Sequence, residues 1–176
     1  MSAPPAGAPP EIELLLDVLA LAVPPRSAAF VSGPMTPSPG RAADHGLAPD
    51  EVRRRNARAI EGFATRLRAR QGGPVISPAG LDVPGWRGRD YGELFRRVIE
   101  RFAAEVWFLE GWQFSPGCVQ EIATCFRLGI RCLDQEGEPI DRPAAVRKVR
   151  QALEISTASG AGCASLEASF EALESG

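Results

Sequence analysis

Apolar and polar residues follow one another along the chain in blocks that predict strands and helices in turn. Short apolar runs bounded by turn residues are typical of buried strands, and they occupy Ser27 to Met35, Pro74 to Pro78, Val106 to Leu109 and Ile130 to Leu133. Segments with helical spacing or helix-start signals predict helices over Glu11 to Val23, Glu51 to Arg70, Tyr91 to Ala103, Pro116 to Leu128 and Arg142 to about residue 155.

The helix predicted over Tyr91 to Ala103 has the most regular pattern. Its apolar residues recur at intervals of three and four, which places them on one core-facing side of the helix. They are Tyr91, Leu94, Phe95, Val98, Ile99 and Phe102. Asp50 and Asp90 directly precede the second and third helices, and we expect each carboxylate to cap its helix. Asn56 shares the apolar face of the second helix, so it is expected near a pocket or in a hydrogen bond at the helix edge.

The alternation of strands and helices predicts the fold class. Strand, helix, strand repeated with short links is typical of an α/β domain with a small, doubly wound parallel sheet, a three-layer Rossmann- or flavodoxin-like sandwich. We expect one such domain over residues 11–155. Residues 1–10 are rich in Pro and Ala and are expected to be a disordered leader, and residues 156–176 either a C-terminal helix or a mobile tail.

One strand–helix–strand unit stands out because it carries a carboxylate near its binding edge. The strand Val106 to Leu109 is followed by a turn, and Ser115 is then a suitable cap for the helix that begins at Pro116. Gly129 is a typical helix stop. In open α/β sheets ligands bind at the carboxyl ends of the strands, and Glu121 lies in the second turn of this helix.

Composition and charge argue against several classes of function, namely nucleic-acid binding, membrane insertion and metal binding. The chain has 176 residues and a net charge of -2, which argues against a nucleic-acid surface. No apolar run approaches the roughly 20 residues that span a membrane, so we expect a cytoplasmic protein that binds neither nucleic acid nor membrane. The four cysteines form no C-x-x-C pair and His45 is the single histidine, which predicts buried, reduced thiols and no metal. The long polar loop Thr36 to Pro49 is expected to be a lid or binding loop.

Two motifs carry a resemblance to a known family. The first is FVSGPM, Phe30 to Met35, and the second is LEGWQFSPGCVQE, Leu109 to Glu121. Their order and spacing, and the helices between them, resemble the nucleoside 2-deoxyribosyltransferase-like superfamily, which includes nucleoside 5'-monophosphate N-glycosidases. The resemblance covers approximately residues 28–133.

The resemblance implies that Glu121 is the nucleophile that attacks the anomeric carbon of a sugar. Cleavage of a base–sugar bond passes through an oxocarbenium-like state, and a fixed carboxylate beneath the anomeric carbon stabilises or captures that positive charge. The alternative is a solvated helix residue.

The resemblance also implies a set of residues that bind the substrate. Ser115 with the amides of Gly117 and Cys118 would form an anion site at a helix start, suited to a 5'-phosphate, although capping alone also explains this serine. The remaining candidates are expected on the sugar or base side of the pocket, with core packing as the alternative for the last two. They are Gly33, Pro34, Met35 and Trp112, and Phe30 and Asp90 are further candidates for substrate binding.

The chain departs from the family pattern at the helper residues. Phe30 stands where several members have a tyrosine that orients the catalytic carboxylate. The family's second acid has no direct counterpart, and the nearest acids are Asp90 and Glu93, while Glu105 stands at the strand start where an aspartate is common. A transferase that needs both acids is therefore less favoured than a hydrolase.

These observations lead to one prediction and two alternatives. The prediction is an N-glycosidase that hydrolyses a nucleoside 5'-monophosphate without a cofactor. The alternatives are a nucleoside deoxyribosyltransferase that acts on free nucleosides, and a non-catalytic nucleotide-binding or sensing module. The resemblance further implies a homodimer or higher homo-oligomer, with Leu14 to Val23 and the tail as candidate contact regions.

Overall fold

The computed structural model describes residues 9–38, 40–160 and 162–175. Most of the predicted leader, residues 1–8, lies outside the described residues. The helices and strands are α1 Glu11–Ala22, β1 Ala28–Ser32, α2 Pro49–Arg70, β2 Val75–Ile76, α3 Gly88–Phe102, β3 Ala103–Phe108, α4 Pro116–Leu128, β4 Arg131–Asp134, α5 Arg142–Ala158 and α6 Ala164–Ser175. Short 3-10 turns occupy Ala42–Asp44 and Trp112–Phe114.

The four strands form one parallel sheet in the order β2-β1-β3-β4. β1 is central and each of its residues is buried, because it is apolar on both sides and helices cover both faces of the sheet. Ser32 at the end of β1 is in register with Phe108 at the end of β3. The predicted α/β class with a parallel sheet and a three-layer, Rossmann-like arrangement is confirmed.

The two faces of the sheet are covered unequally. On one face α2 packs Ile60, Phe63 and Leu67 against Ala29 and Val31 of β1. On the other face α1, α3, α4, α5 and α6 join the opposite side of the strands in one large apolar cluster. Its largest fully buried members include Ile12, Leu16, Phe30, Ile99, Phe102, Phe108 and Ile122. The helix that carries Glu121 therefore belongs to the thicker layer.

Helix α4 agrees with its prediction at both ends. It runs from Pro116 to Leu128, and Gly129 follows with a φ of 64°, the left-handed conformation that glycine adopts without strain. The apolar stripe of α3 also faces the core as predicted: Leu94, Val98, Ile99 and Phe102 are buried.

The predicted caps of α2 and α3 are wrong. Both helices begin earlier than expected, so Asp50 lies in the first turn of α2, where it pairs with Arg53 at 2.5 Å. Asp90 lies at the third position of α3 and accepts a hydrogen bond from the backbone N–H of Arg87 at 2.8 Å. Each helix thus has a carboxylate in its first turn, where the negative charge interacts favourably with the helix dipole. Neither aspartate is the capping residue.

The C-terminal segment is a docked helix rather than a mobile tail over residues 164–175. Leu166 and Leu173 of α6 are buried in the large cluster. Gln120 of α4 donates a hydrogen bond through Nε2 to Ser169 Oγ at 3.1 Å. Helix α6 therefore supports the outer side of α4, next to the residue predicted to act in catalysis.

Helix α1 buries one side and exposes another apolar side. Ile12 and Leu16 are buried, whereas Leu14, Val18 and Leu21 are exposed. The exposed apolar side lies in the region that is expected to contact a second copy of the chain, and that contact stays a prediction. Among the described residues no helix combines the length and apolar character that crossing a bilayer requires.

Candidate active site

The carboxyl edge of the sheet brings the two sequence motifs together. β1 and β3 are parallel neighbours that end side by side at Ser32 and Phe108. Leu109 continues this pairing, since its backbone N–H donates to the carbonyl oxygen of Ser32 at 2.9 Å. Helix α4 then begins at Pro116 over the same edge, the position where open α/β sheets bind ligands.

The start of α4 has the predicted cap. Ser115 is extended, and its Oγ accepts a hydrogen bond from the backbone N–H of Cys118 at 3.5 Å. Pro116 occupies the first helical position, where its missing N–H costs no hydrogen bond. Gly117 in the first turn is exposed. The Cys118 N–H is used in this cap and the Val119 N–H donates to the Ser115 carbonyl oxygen, so the Gly117 N–H and the Ser115 hydroxyl are the groups that could face an anion here.

Glu121 is hydrogen-bonded to a residue that the sequence reasoning missed. Ser32 Oγ donates to Glu121 Oε2 at 2.5 Å. Glu121 Oε1 makes no hydrogen bond with any described residue, and the side chain is only half-buried. One oxygen of the carboxylate is therefore held and the other is available. Side chains alternate along a strand, so Ser32 lies on the face of Phe30, and this alternation was the signal for finding it.

The environment of Glu121 favours its neutral form. Removal from water raises the pKa of this carboxyl from 4.5 to about 7, while the Ser32 hydroxyl acts in the opposite direction by stabilising the carboxylate. Glu121 therefore changes its protonation state near neutral pH. Such a value suits a residue that must be ionised to attack yet can also hold a proton.

The thiol of Cys118 occupies the centre of the site and is not reactive itself. Burial, together with the negative charge of Glu121, raises its pKa to about 12, and the hydroxyls of Ser115 and Ser32 and the positive charge of Arg41 act in the opposite direction. A thiol with this pKa is a neutral, small apolar group at physiological pH. Its surroundings show which polar groups converge here.

The turn after β1 brings backbone close to other elements. A Cβ on Gly33 would lie 3.0 Å from Ile60 Cγ1 and 3.4 Å from Leu109 Cβ, so any larger residue would force the neighbours to move. Pro34 is buried, and Met35 is half-buried against the cluster under α2. Gly33 thus permits the close backbone approach that was predicted, while Met35 retains some exposed surface.

Phe30 and Trp112 are core residues in this structure rather than lining of an open site. Phe30 is 0% exposed and its ring centroid lies 5.9 Å from that of Phe95. Trp112 is 2% exposed and packs 5.5 Å from the ring of Phe108. For Trp112 this is the core alternative left open by the sequence. Both rings support the site from beneath, because their size and shape fill the space under the carboxyl edge.

Asp90 is engaged elsewhere. Its carboxylate accepts from the Arg87 backbone and lies 3.5 Å from Arg89. Glu93 is paired with Arg96 at 2.7 Å. No hydrogen bond joins either acid to Glu121 within the described residues, and both acids have other partners.

Arg41 is the second residue that the sequence reasoning missed. Gly111 has a φ of 87°, and a Cβ on it would lie 2.5 Å from Arg41 Nε. The Arg41 side chain therefore lies directly against the bare Gly111 backbone, in the turn between β3 and α4. No periodic pattern marks an arginine in an irregular loop, so only the prediction of a binding loop over Thr36 to Pro49 pointed to this region.

Two cavities lie outside the immediate surroundings of Glu121. One, of about 230 Å³, is bordered by Thr36, Ser38, Phe114, Pro116 and Cys163 among others, and so adjoins the start of α4. The other, of about 270 Å³, lies between α2 and Trp107 on the opposite face of the sheet. Glu121 borders neither of these two cavities.

Within residues 9–38, 40–160 and 162–175, no group of three or more His, Cys, Asp or Glu side chains is placed to hold a metal ion. No family model, no curated protein and no solved structure matches the chain.

Proposed function

We propose that the chain is an N-glycosidase of the nucleoside 2-deoxyribosyltransferase-like superfamily that hydrolyses the base–sugar bond of a nucleoside 5'-monophosphate. The observation that carries the proposal is the hydrogen bond of 2.5 Å from Ser32 to Glu121 at the carboxyl edge of a parallel sheet. It joins the two motifs on which the resemblance rests, and it fixes one oxygen of the proposed nucleophile.

The proposed reaction has two steps. Glu121 Oε1, in its ionised form, bonds to the anomeric carbon as the bond from that carbon to the base nitrogen breaks, and the electron pair leaves with the base, which gains a proton. Water then attacks the same carbon, releases Glu121 and gives the free sugar phosphate and a proton. The carboxylate stabilises the oxocarbenium-like charge in both steps.

Ser32 takes the orienting role that a tyrosine has in several members of the superfamily. Phe30 cannot hydrogen-bond, and in this chain the hydroxyl two positions later on the same side of β1 reaches the carboxylate. A serine hydroxyl that donates to the ionised form both orients the carboxylate and lowers its pKa. The missing tyrosine is thus replaced in function by a shorter residue.

The preference for a monophosphate is supported by the start of α4. Ser115 and the Gly117 amide would bind the anion, and they precede Glu121 on the chain by about one to two turns of helix. The engagement of Asp90 in α3 favours hydrolysis over base transfer, since a transferase of this superfamily would use a second acid. Four free thiols, three of them buried, support a reducing compartment such as the cytoplasm.

A panel of purine and pyrimidine nucleosides and their 5'-monophosphates, followed by chromatography of free base, tests the proposal. We expect wild type to release base from at least one monophosphate, and Glu121→Gln to lose activity on the order of a thousandfold or more. Glu110→Gln is the matched control, because Glu110 is exposed and lies in the preceding turn.

Each outcome of this panel separates the alternatives. Equal traces of base from wild type and Glu121→Gln would contradict the proposal. Exchange into an added acceptor base would identify a transferase. Binding of a nucleotide without any base release would identify a binding or sensing module.

A further inference from the structure

Arg41 carries a positive charge to the start of α4. Its side chain lies on the backbone of Gly111, and its charge acts on the thiol of Cys118 in the first turn of the helix. Only 16% of the Arg41 side chain is exposed. A largely covered arginine beside a helix N-terminus adds a full charge to the partial positive charge of the helix dipole.

The guanidinium of Arg41 is fixed by two polar neighbours. Its Nη1 donates to Asp44 Oδ1 at 3.3 Å and to Asn56 Oδ1 at 3.1 Å. Asp44 is itself held by the backbone N–H of Ser38 at 2.9 Å and by Arg55. A single nitrogen of Arg41 is used to anchor it, and the orientation of the planar group follows from these bonds.

This cluster has more donors and more positive charge than its own acceptors match. Two arginines face one carboxylate, which leaves a net charge of one positive unit. Arg41 Nε and Nη2 make no hydrogen bond with any described residue. Asn56 Nδ2 is buried and is likewise without a partner in the described part of the chain. An oxyanion is the ligand that such a surplus of donors recognises.

We propose that Arg41 is a specificity-determining residue that binds the 5'-phosphate of the substrate, together with the amides at the start of α4. The inference rests on the proposed function, because it assigns the anion of that substrate to a particular cation. Arg41 supplies the charge and two donors, Asp44 and Asn56 hold it in place, and the helix N-terminus supplies further donors. The irregular loop that follows β1 would thereby contribute to phosphate binding.

The first test compares a phosphorylated with an unphosphorylated substrate. We expect Arg41→Met to lower kcat/KM for the monophosphate by about a hundredfold or more, and kcat/KM for the matching nucleoside by less than about threefold, because only the former interacts with the charge. Arg41→Lys should recover part of the loss, since it keeps the charge but not the planar donor pair. Equal losses on both substrates would overturn the inference.

A second variant moves Arg41 without changing it. The Cβ of Gly111→Ala would lie 2.5 Å from Arg41 Nε and displace this side chain, so we expect the same selective loss on the monophosphate. Gly129→Ala is the matched control, because Gly129 also has a positive φ but open space around its Cβ position. A loss shared by both alanine variants would mean that backbone strain, not displacement of Arg41, is responsible.

A binding measurement separates failure of this inference from failure of the proposed function. Calorimetric titration with inorganic phosphate is expected to show binding to wild type and at least tenfold weaker binding to Arg41→Met. If wild type releases no base but binds phosphate through Arg41, the glycosidase proposal fails and the anion site stands. If wild type binds no phosphate and shows no preference for monophosphates, Arg41 has no such role.

Discussion

Two regions of the molecule each shield a carboxylate from water, but they differ in how many hydrogen-bond and ion-pair partners they give it. In the loop after β1, the side chain of Asp44 is 4% exposed and is held by Arg41, Arg55 and the Ser38 backbone. On α4, Glu121 is half-buried, and its only hydrogen-bond partner among the described residues is the neutral hydroxyl of Ser32.

The contrast distinguishes a compensated carboxylate from a poorly compensated one, and only the latter is proposed to be reactive. A covered carboxylate with two cations and a backbone amide is fully compensated, and its role is to hold its partners in place. A covered carboxylate with a single hydroxyl is poorly compensated, and its pKa rises to about 7. Poor compensation costs stability, and residues that carry such a cost are concentrated at functional sites.

The largest expected effect is on stability as a function of pH. The folded-state pKa of Glu121 lies above its ordinary value of 4.5, so in this window the folded state binds more protons than the unfolded chain. The free energy of unfolding should therefore fall as pH rises from about 4.5 to about 7, by at most about 3 kcal/mol.

Urea unfolding of wild type and Glu121→Gln between pH 5 and pH 8 measures this contribution. Glutamine keeps the shape and carries no charge, so its stability should exceed that of wild type increasingly as pH rises. Parallel pH profiles for the two proteins would show that the charge on Glu121 does not reduce stability. The proposed difference between Glu121 and Asp44 would then be wrong.

A smaller effect is expected when the compensated carboxylate is removed. Asp44→Asn leaves Arg41 and Arg55 without a counter-charge in a covered position, and the free energy of unfolding should fall by about 2 kcal/mol, less than for a fully buried pair because Arg55 is partly exposed. The control is Asp50→Asn in the exposed pair with Arg53, for which we expect a much smaller change because solvent screens an exposed ion pair. Chemical denaturation at one pH measures both, and similar losses would mean that burial does not distinguish the pairs.

The smallest effect concerns the hydroxyl that partly compensates Glu121. Ser32→Ala removes a donor to the ionised carboxylate, so the pKa of Glu121 should rise further, by about one unit. In the proposed reaction the rising limb of the kcat/KM profile would move to higher pH by the same amount, with about tenfold lower activity near pH 6. Ser27→Ala, in an exposed serine bonded to Pro24, serves as the control. An unmoved limb with lower activity at every pH would indicate a purely structural role for Ser32.

Regular elements could be predicted from the sequence because their signals are local. Proline, glycine and apolar spacing define α4 and the core side of α3, and both agree with the structure. The starts of α2 and α3 were missed because Asp50 and Asp90 favour the first turn of a helix as well as the cap, and local sequence does not separate the two positions. Docking of α6 could not be foreseen, since its weak pattern becomes decisive only once α4 offers a surface.

The site was predictable where a motif marks it and not where tertiary packing builds it. Glu121 and Ser115 are predicted from the second motif, and the structure places Ser115 at the cap of α4 and Glu121 in its second turn, while their roles stay predictions. Phe30 is a core residue because the aromatic side of β1 faces α3. Strand alternation places Ser32 on the face of Phe30 but does not show that it reaches Glu121, 89 positions away, and no periodic signal marks Arg41 in its irregular loop.

The parallel order of the sheet has a kinetic consequence for the proposed nucleophile. Ser32 and Glu121 are separated by 89 positions, and β1 can pair with β3 only after the intervening chain has formed a crossover. Closing a loop of this length has an entropic cost on the order of 4 kcal/mol before any contact forms, and such non-local pairings slow folding. The oriented carboxylate therefore arises only once β1 has paired with β3, so recovery of the proposed activity during refolding would report this long-range pairing rather than the formation of local helices.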